Sequence, residues 1–130
     1  LTGQWAKKAF SEAKIFGEAV ELAHQQTKHL HIFRTAVTCR LRMIWIMCIF
    51  AKTTQIYGTK YHTLPNTKGK LLIADQSSCF LSEPVDVTKY GMIYAGVQKN
   101  VGPAGTVIAI IREDLITDDV LPGTPTIAEV

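Results

Sequence analysis

Three short apolar runs separated by turn-forming residues constrain the fold of this 130-residue chain most strongly. Leu71–Asp75 and residues 92–95 have the length and composition typical of buried parallel strands. A third run, residues 106–112, follows the turn-forming sequence Gly-Pro-Ala-Gly at 102–105. The polar segment between the first two runs contains a turn at Pro84. The pattern predicts an α/β unit in this part of the chain.

The N-terminal residues predict one helix. Apolar side chains recur there every three to four positions: Trp5, Ala9, Ala13 and Phe16. Thr2 is the expected N-cap, and Gly17 is the expected residue just beyond the helix. The following residues, 19–23, are a candidate short strand.

Composition indicates a folded chain with a core, since 47% of the residues are apolar and 19% are charged. No apolar run reaches the roughly 20 residues that span a bilayer, and no secretory signal is visible. We therefore expect no membrane partner. The first residue is Leu1 rather than Met, which suggests a start inside a longer reading frame. Three widely spaced cysteines suit a reducing compartment, so we expect a cytoplasmic protein.

Charge divides the chain into an acidic start, a basic middle and an acidic end. All 11 acidic residues lie at or before Glu21 or from Asp75 onward, whereas residues 22–74 carry eight of the 14 Lys and Arg. Such a stretch could bind phosphate backbones, and His29 with His31 could begin a metal site. Neither feature has the aromatic or cysteine partners that its chemistry uses. We therefore expect no metal and no nucleic acid, and keep a basic nucleic-acid-binding module as a third reading.

Asp75 and Lys99 are the residues on which we base a chemical hypothesis. Each follows an apolar run, and the carboxyl ends of parallel strands are where open α/β sheets bind ligands. A carboxylate that keeps a pyridine nitrogen protonated and a lysine that forms a Schiff base are what pyridoxal phosphate chemistry requires. The same residue types also occur as a turn-forming Asp and a solvated Lys, so the pattern alone leaves both interpretations open.

Two parts of the chain carry specific motifs: an ungapped block, residues 70–115, and the opening Thr-Gly-Gln-Trp-Ala-Lys-Lys-Ala at 2–9. The block contains Ala-Asp-Gln-Ser-Ser at 74–78, Pro-Val-Asp-Val-Thr-Lys-Tyr at 84–90, Gly-Met-Ile-Tyr-Ala-Gly-Val-Gln-Lys-Asn-Val-Gly-Pro-Ala-Gly at 91–105 and Ile-Arg-Glu-Asp-Leu at 111–115. With these motifs, the chain resembles the phosphoserine aminotransferases over about two-thirds of its length.

The resemblance implies a role for five residues. Lys99, in Gln-Lys-Asn, would form the Schiff base with pyridoxal phosphate and shuttle the proton. Asp75 would pair with the pyridine nitrogen, and Gln98 would contact the cofactor phosphate. Ser77 would lie just behind these groups. Trp5 would stack on the pyridine ring; without the resemblance, it is predicted to anchor the first helix in the core.

The resemblance also implies the fold and the reaction. The chain would be an incomplete large domain of a fold-type-I aminotransferase, a mainly parallel sheet flanked by helices, from a homodimeric enzyme. That enzyme would transfer the amino group of L-glutamate to 3-phosphooxypyruvate, giving O-phospho-L-serine in serine biosynthesis. Some family members also serve pyridoxine biosynthesis. The alternative is a truncated, non-catalytic chain without activity of its own.

One segment departs from the family pattern. An Asn-x-Thr-Ile sequence usually supplies a threonine near the ring hydroxyl of the cofactor, but here Gln55 precedes Ile56, after Thr53 and Thr54. Back-translation of residues 42–55, read one base earlier, permits D-D-L-D-Y-V-Y-I-C-E-N-N-T, after which one surplus base restores the frame. We therefore interpret residues 24–55 as out of frame and predict that they are poorly ordered.

Overall fold

The computed structural model describes residues 3–21, 47–54 and 59–117, and all structural statements refer to these residues. They contain one α-helix and six strands: α1 (Gly3–Phe16), β1 (Met47–Ala51), β2 (Thr53–Thr54), β3 (Thr59–Lys60), β4 (Leu71–Asp75), β5 (Met92–Gly96) and β6 (Val107–Ile111). No described helix has the length and apolar character needed to cross a membrane.

Four strands form a mixed sheet in the order β1-β4-β5-β6. β1 and β4 pair in parallel with Met47 opposite Leu71, and β4 and β5 pair in parallel with Asp75 opposite Tyr94. β6 is antiparallel to β5, with Val107 opposite Gly96. The predicted runs are therefore strands, and the α/β fold class is confirmed. The apolar run alone did not indicate the direction of β6, because such a run is equally apolar in either orientation.

The first helix is confirmed, with Gly17 just beyond its end. The amide of Gly17 donates to the carbonyl of Ala13 at 3.2 Å, which satisfies a terminal carbonyl of the helix. Thr2, the expected cap, lies outside the described residues. The predicted strand at 19–23 is not formed at 19–21, where Glu21 limits the apolar run to two residues, and 22–23 lie outside the described residues.

β1 lies inside the segment that we expected to be poorly ordered. Residues 47–51 align with all five residues of β4, and Cys48 is buried in the core cluster on one face of the sheet. The structure therefore differs from the expectation here, because this apolar run supplies the β-branched and aromatic side chains that strands favour. Residues 24–46 and Gln55 lie outside the described residues, so the reading frame stays a prediction.

The core lies on one face of the sheet. Alternate residues of the central strands point into it, including Leu72 and Ala74 from β4 and Ile93 and Ala95 from β5. The connection 76–91 covers this face and adds Phe80 and Tyr90 to the same cluster.

The opposite face is apolar and open among the described residues. Met47, Ile49 and Val107 are 44%, 57% and 65% exposed. By strand alternation Asp75 lies on this open face, since its neighbour Ala74 points into the core. The carboxyl edge of β4 thus presents a carboxylate beside apolar surface.

Candidate active site

The candidate site lies at the carboxyl edge of the two central parallel strands. Asp75 is the last residue of β4, and Gly96 is the last residue of β5. A single 3₁₀ turn, Val97–Lys99, follows β5 directly and brings Lys99 to the same edge. The sheet therefore places both predicted residues at the end where α/β folds bind ligands.

The carboxylate of Asp75 is held by the residue two positions further along the chain. Its Oδ1 accepts hydrogen bonds from the Ser77 amide at 2.9 Å and from the Ser77 hydroxyl at 2.7 Å. Asp favours this local geometry because its short side chain reaches the backbone two residues on, and the resulting turn ends β4. Both bonds fall on Oδ1, and within the described part of the chain Oδ2 accepts none.

The loop that carries Lys99 is tied to this turn and closed at its neck. The Gly96 amide donates to the Ser77 hydroxyl at 3.0 Å. The Val97 amide donates to the carbonyl of Thr106 at 3.2 Å, just before β6 begins. The side chain of Asn100 donates to the carbonyl of Phe80 in the neighbouring connection. Three hydrogen bonds therefore fix the loop 97–106 against the sheet edge.

The ammonium group of Lys99 rests on a second serine. Its Nζ donates to Ser78 Oγ at 2.9 Å, and the side chain is exposed. Among the described residues this neutral hydroxyl is the one acceptor of Lys99 Nζ, and no carboxylate pairs with the side chain. Asp75 and Lys99 are thus each attached to one of two adjacent serines.

The side chain of Gln98 folds back over Gly96. A Cβ at position 96 would lie 2.8 Å from Gln98 Oε1, so the absence of a side chain at Gly96 makes room for this amide. Gln98 is exposed and lies one residue before Lys99, at the same edge as Asp75. Its amide is available to a group bound there.

Comparison with known proteins identifies the family. The class-V aminotransferase family matches residues 13–130. The chain belongs to the class-V aminotransferases.

Similar members of this family are phosphoserine aminotransferases. The protein from Lysinibacillus sphaericus (strain C3-41) is 40% identical over 116 residues, which are 89% of this chain and 32% of that protein. The solved enzyme from Bacillus circulans subsp. alkalophilus superposes with a TM-score of 0.83 at 35% identity, covering 88% of this chain and 32% of the other. The pyridoxal-phosphate-bound enzyme from Trichomonas vaginalis gives a TM-score of 0.82 at 33% identity, covering 95% and 37%. The chain spans about a third of the length of these relatives.

Pyridoxal phosphate is the cofactor that the family and the relatives indicate. The residues present fit it on two counts. A carboxylate with one oxygen already held and the other open suits a protonated ring nitrogen, and an exposed lysine on a hydroxyl suits an aldehyde. Asp75 would hold the ring nitrogen and Lys99 would hold the aldehyde carbon.

Trp5 lies on α1 and is not a core residue. Its side chain is 57% exposed, and the Lys8 ammonium sits 4.9 Å from the centre of its ring. Trp5 therefore does not anchor the helix in the core formed by the described residues. Stacking on the cofactor stays a prediction.

The departure from the family pattern is only partly described. Thr53 belongs to β2, which pairs antiparallel with β3 opposite Lys60. Gln55, as well as His29 and His31, lies outside the described residues. Within the described ranges, no group of three or more His, Cys, Asp or Glu side chains is placed to hold a metal ion.

One polar cluster at the sheet edge was missed by sequence reasoning. Lys52 and Lys60 both bind the carboxylate of Glu83, with Nζ to oxygen distances of 2.6 and 2.5 Å. Hydrogen bonds from the two lysines lower the pKa of Glu83 to about 2. Burial raises the pKa of the neighbouring Cys79 thiol, and the two lysines oppose this shift. The partners lie 31 and 23 positions apart, so no spacing in the sequence signalled them.

This cluster also bears on the basic middle of the chain. Lys52 is 7% exposed, and its charge is neutralised by a residue of the acidic end. Two of the eight cations are therefore engaged within the fold, which leaves less positive charge for a phosphate backbone.

Proposed function

We propose that this chain is the cofactor-binding part of a phosphoserine aminotransferase. The enzyme moves the amino group of L-glutamate to 3-phosphooxypyruvate, which gives O-phospho-L-serine and 2-oxoglutarate. The observation that carries the proposal is the position of Asp75 and Lys99 at one sheet edge, on adjacent serines, in a chain of this family.

The residues of the chain divide the work at that edge. The carboxylate of Asp75 would stabilise a protonated pyridine nitrogen, since its bonds to Ser77 occupy only one of its two oxygens. Pyridoxal phosphate, when bound, supplies an electron sink for the carbon from which a proton is removed. Lys99 would hold the aldehyde carbon of the cofactor until the substrate amine displaces it; its freed amine would then carry the proton from the substrate carbon to the former aldehyde carbon, two atoms away, which is general acid–base catalysis by one side chain. Gln98 supplies an amide to the cofactor phosphate, and Trp5 supplies a ring face.

The 130 residues are then part of a longer chain. Relatives of similar sequence are about three times as long. The substrate carboxylate and phosphate groups bind residues outside this sequence, and two copies of the complete chain form the homodimer. The enzyme acts in the cytoplasm on small molecules in serine biosynthesis. A separate assay with the pyridoxine-pathway substrate measures whether it also has that activity.

Reduction of the full-length enzyme with borohydride in the presence of pyridoxal phosphate tests the proposal. Peptide mapping is expected to find the adduct on Lys99. Lys89 is the matched alternative, because it lies in the same block and pairs with Asp86 at 3.6 Å. Adduct on Lys89, or none, would overturn the assignment. Lys99→Ala is expected to abolish transamination, whereas Lys89→Ala is expected to retain it.

The second candidate is a non-catalytic product of the same gene, favoured by the coverage of only a third of the relatives. The nucleotide sequence across codons 20–60 and its flanks discriminates between the two. An open frame that continues in both directions and encodes the family motif before Ile56 supports the enzyme. Stop codons in every frame would support the non-catalytic chain.

A further inference from the structure

We propose that Ser77 is a positioning residue that sets the orientation of the Asp75 carboxylate and couples it to the loop carrying Lys99. This inference rests on the proposed function and goes beyond it. It assigns to Ser77, which need not touch the cofactor, control over the orientation of Asp75, which binds the cofactor in that proposal.

The direction of the two hydrogen bonds at Ser77 Oγ fixes the hydroxyl proton. The Gly96 amide can only donate, so at 3.0 Å it occupies a lone pair of the serine oxygen. The proton of the hydroxyl then has one acceptor at 2.7 Å, Oδ1 of Asp75. A hydroxyl held at both ends does not rotate freely, so it acts as an oriented bridge rather than as an adaptable donor.

Asp75 gains a defined orientation from this bridge. Two donors on the same oxygen, the amide and the hydroxyl of Ser77, restrict rotation of the carboxylate and leave Oδ2 without a donor among the described residues. The alternation along β4 places the side chain on the open face of the sheet. A carboxylate pre-set in this way loses little freedom when a ring nitrogen binds, and such preorganisation raises affinity.

The bridge also joins two strands at the point where function is concentrated. Ser77 follows β4, whereas Gly96 ends β5 and begins the 3₁₀ turn to Lys99. A displacement of the Asp75 turn would therefore move the start of the Lys99 turn, because one oxygen is bonded to both. Ser82 provides the contrast. Its hydroxyl donates to the carbonyl of Cys79 at 2.7 Å in the same connection and makes no hydrogen bond to Asp75 or to the described loop of Lys99.

The test is a double-mutant cycle on the full-length enzyme, read as the dissociation constant of pyridoxal phosphate by absorbance titration. Ser77→Ala is expected to weaken binding about 10- to 100-fold, the range for loss of a hydrogen bond to a charged group. In the Asp75→Asn background the same substitution is expected to cost about 2-fold or less, because the group on which it acts is changed. Ser77→Thr keeps the hydroxyl and is expected to restore most of the affinity, and Ser82→Ala is expected to leave it unchanged.

A second measurement uses the cofactor-free enzyme. Hydrogen exchange of the Gly96 amide is expected to be faster in Ser77→Ala than in the unsubstituted protein or in Ser82→Ala, because the amide loses its acceptor. An equal loss of affinity with Asp75 present and in the Asp75→Asn background, or unchanged Gly96 exchange, would overturn the role of Ser77. Binding by Ser77→Ala within 2-fold of the unsubstituted enzyme would do the same while leaving the proposed function intact. Absence of cofactor binding in the unsubstituted enzyme would refute the proposed function, and with it this role.

Discussion

Two residues at the sheet edge, Asp75 and Lys99, make contacts that their residue types alone do not predict. Asp75 ends a strand and closes its own turn, so the carboxylate that we propose for the cofactor also has a structural task. The sequence indicated both tasks as alternatives, and the structure shows that the turn does not exclude the chemistry, because only Oδ1 is used. The contact between Lys99 and Ser78 was not predicted, since a pair 21 positions apart depends on the sheet register.

Gln76 is the residue whose environment fits it least. Its side chain is 1% exposed, and its Nε2 has no hydrogen-bond partner among the described residues. A buried amide without a partner lowers the free energy of unfolding by about 1 to 3 kcal/mol. Gln76→Met, which keeps the shape and removes the amide, is therefore expected to raise that free energy by about 1 kcal/mol in urea unfolding. Gln98→Met at an exposed position is the control, and equal changes in both variants would contradict the explanation.

At the scale of elements, strand positions were easier to predict than strand partners. The bounds of β4 follow from its sequence because an apolar run ends abruptly at Asp75. The direction of β6 is not set by its own residues but by the connection before it: the ten residues 97–106 are too few for the crossover that a parallel partner needs.

The existence of β1 does not decide the reading frame. Read one base earlier, this part of the chain would be Y-V-Y-I-C around residues 46–51, and that sequence also favours a strand.

Gly91 lies in a tightly packed position between β4 and the end of β6. A Cβ at this position would overlap with Cγ and Cδ1 of Leu71 and would crowd Leu115. The Gly91 amide and carbonyl are bonded to Leu72 and Arg112, so the backbone cannot move away freely. Gly91→Ala is expected to lower the free energy of unfolding by about 1 to 3 kcal/mol, as overpacking does.

The matched control for this prediction is Gly17→Ala, because a Cβ at Gly17 has no neighbour within 4 Å. Urea unfolding of both variants decides the matter. A Gly91→Ala protein as stable as Gly17→Ala would show that Leu71 repacks without cost.

Glu83, in the connection that covers the core, pairs with Lys60 of β3 and with Lys52, which follows β1. The contribution of these ion pairs to the stability of the fold depends on pH. The folded pKa of Glu83 is about 2, below the value of roughly 4.3 for an unfolded glutamate. A carboxyl group whose pKa is lowered by folding stabilises the fold at pH values above its pKa in the unfolded chain. This contribution of Glu83 is lost as the pH falls from about 4.5 toward 2. Protonation also leaves the buried Lys52 without its counter-charge.

Thermal unfolding between pH 2 and pH 7 is therefore expected to show a falling melting temperature below about pH 4.5, and Glu83→Gln is expected to flatten that part of the curve. Glu113→Gln is the control, since Glu113 makes no ion pair with the described residues. An unchanged slope in Glu83→Gln would contradict the assignment.

At the scale of the whole molecule, the open sheet face and the coverage of the relatives lead to one expectation. Met47, Ile49 and Val107 expose apolar surface of the kind that other parts of a domain usually cover. The described residues include the groups that we propose for the cofactor but only one arginine, Arg112, whose guanidinium is paired with Asp114. Substrate carboxylate and phosphate groups are commonly bound by such side chains.

The 130-residue chain alone is accordingly expected not to catalyse transamination at a useful rate, because catalysis requires substrate and cofactor to be held in register. The rate of transamination is measured as the formation of 2-oxoglutarate from glutamate in the presence of 3-phosphooxypyruvate. Turnover near the median enzyme value of about 10 per second would contradict the expectation. The full-length enzyme under identical conditions is the positive control.

The antiparallel direction of β6 has a consequence for the reactivity of Lys99. Since β6 returns beside β5, residues 97–106 form a closed loop of ten residues whose neck is the bond from Val97 to Thr106. A parallel partner would have required a crossover of a dozen residues or more. The short tether keeps Lys99 at the edge that also carries Asp75. For the Schiff-base lysine that we propose, such a tether would raise the effective concentration of the amine toward a bound carbonyl.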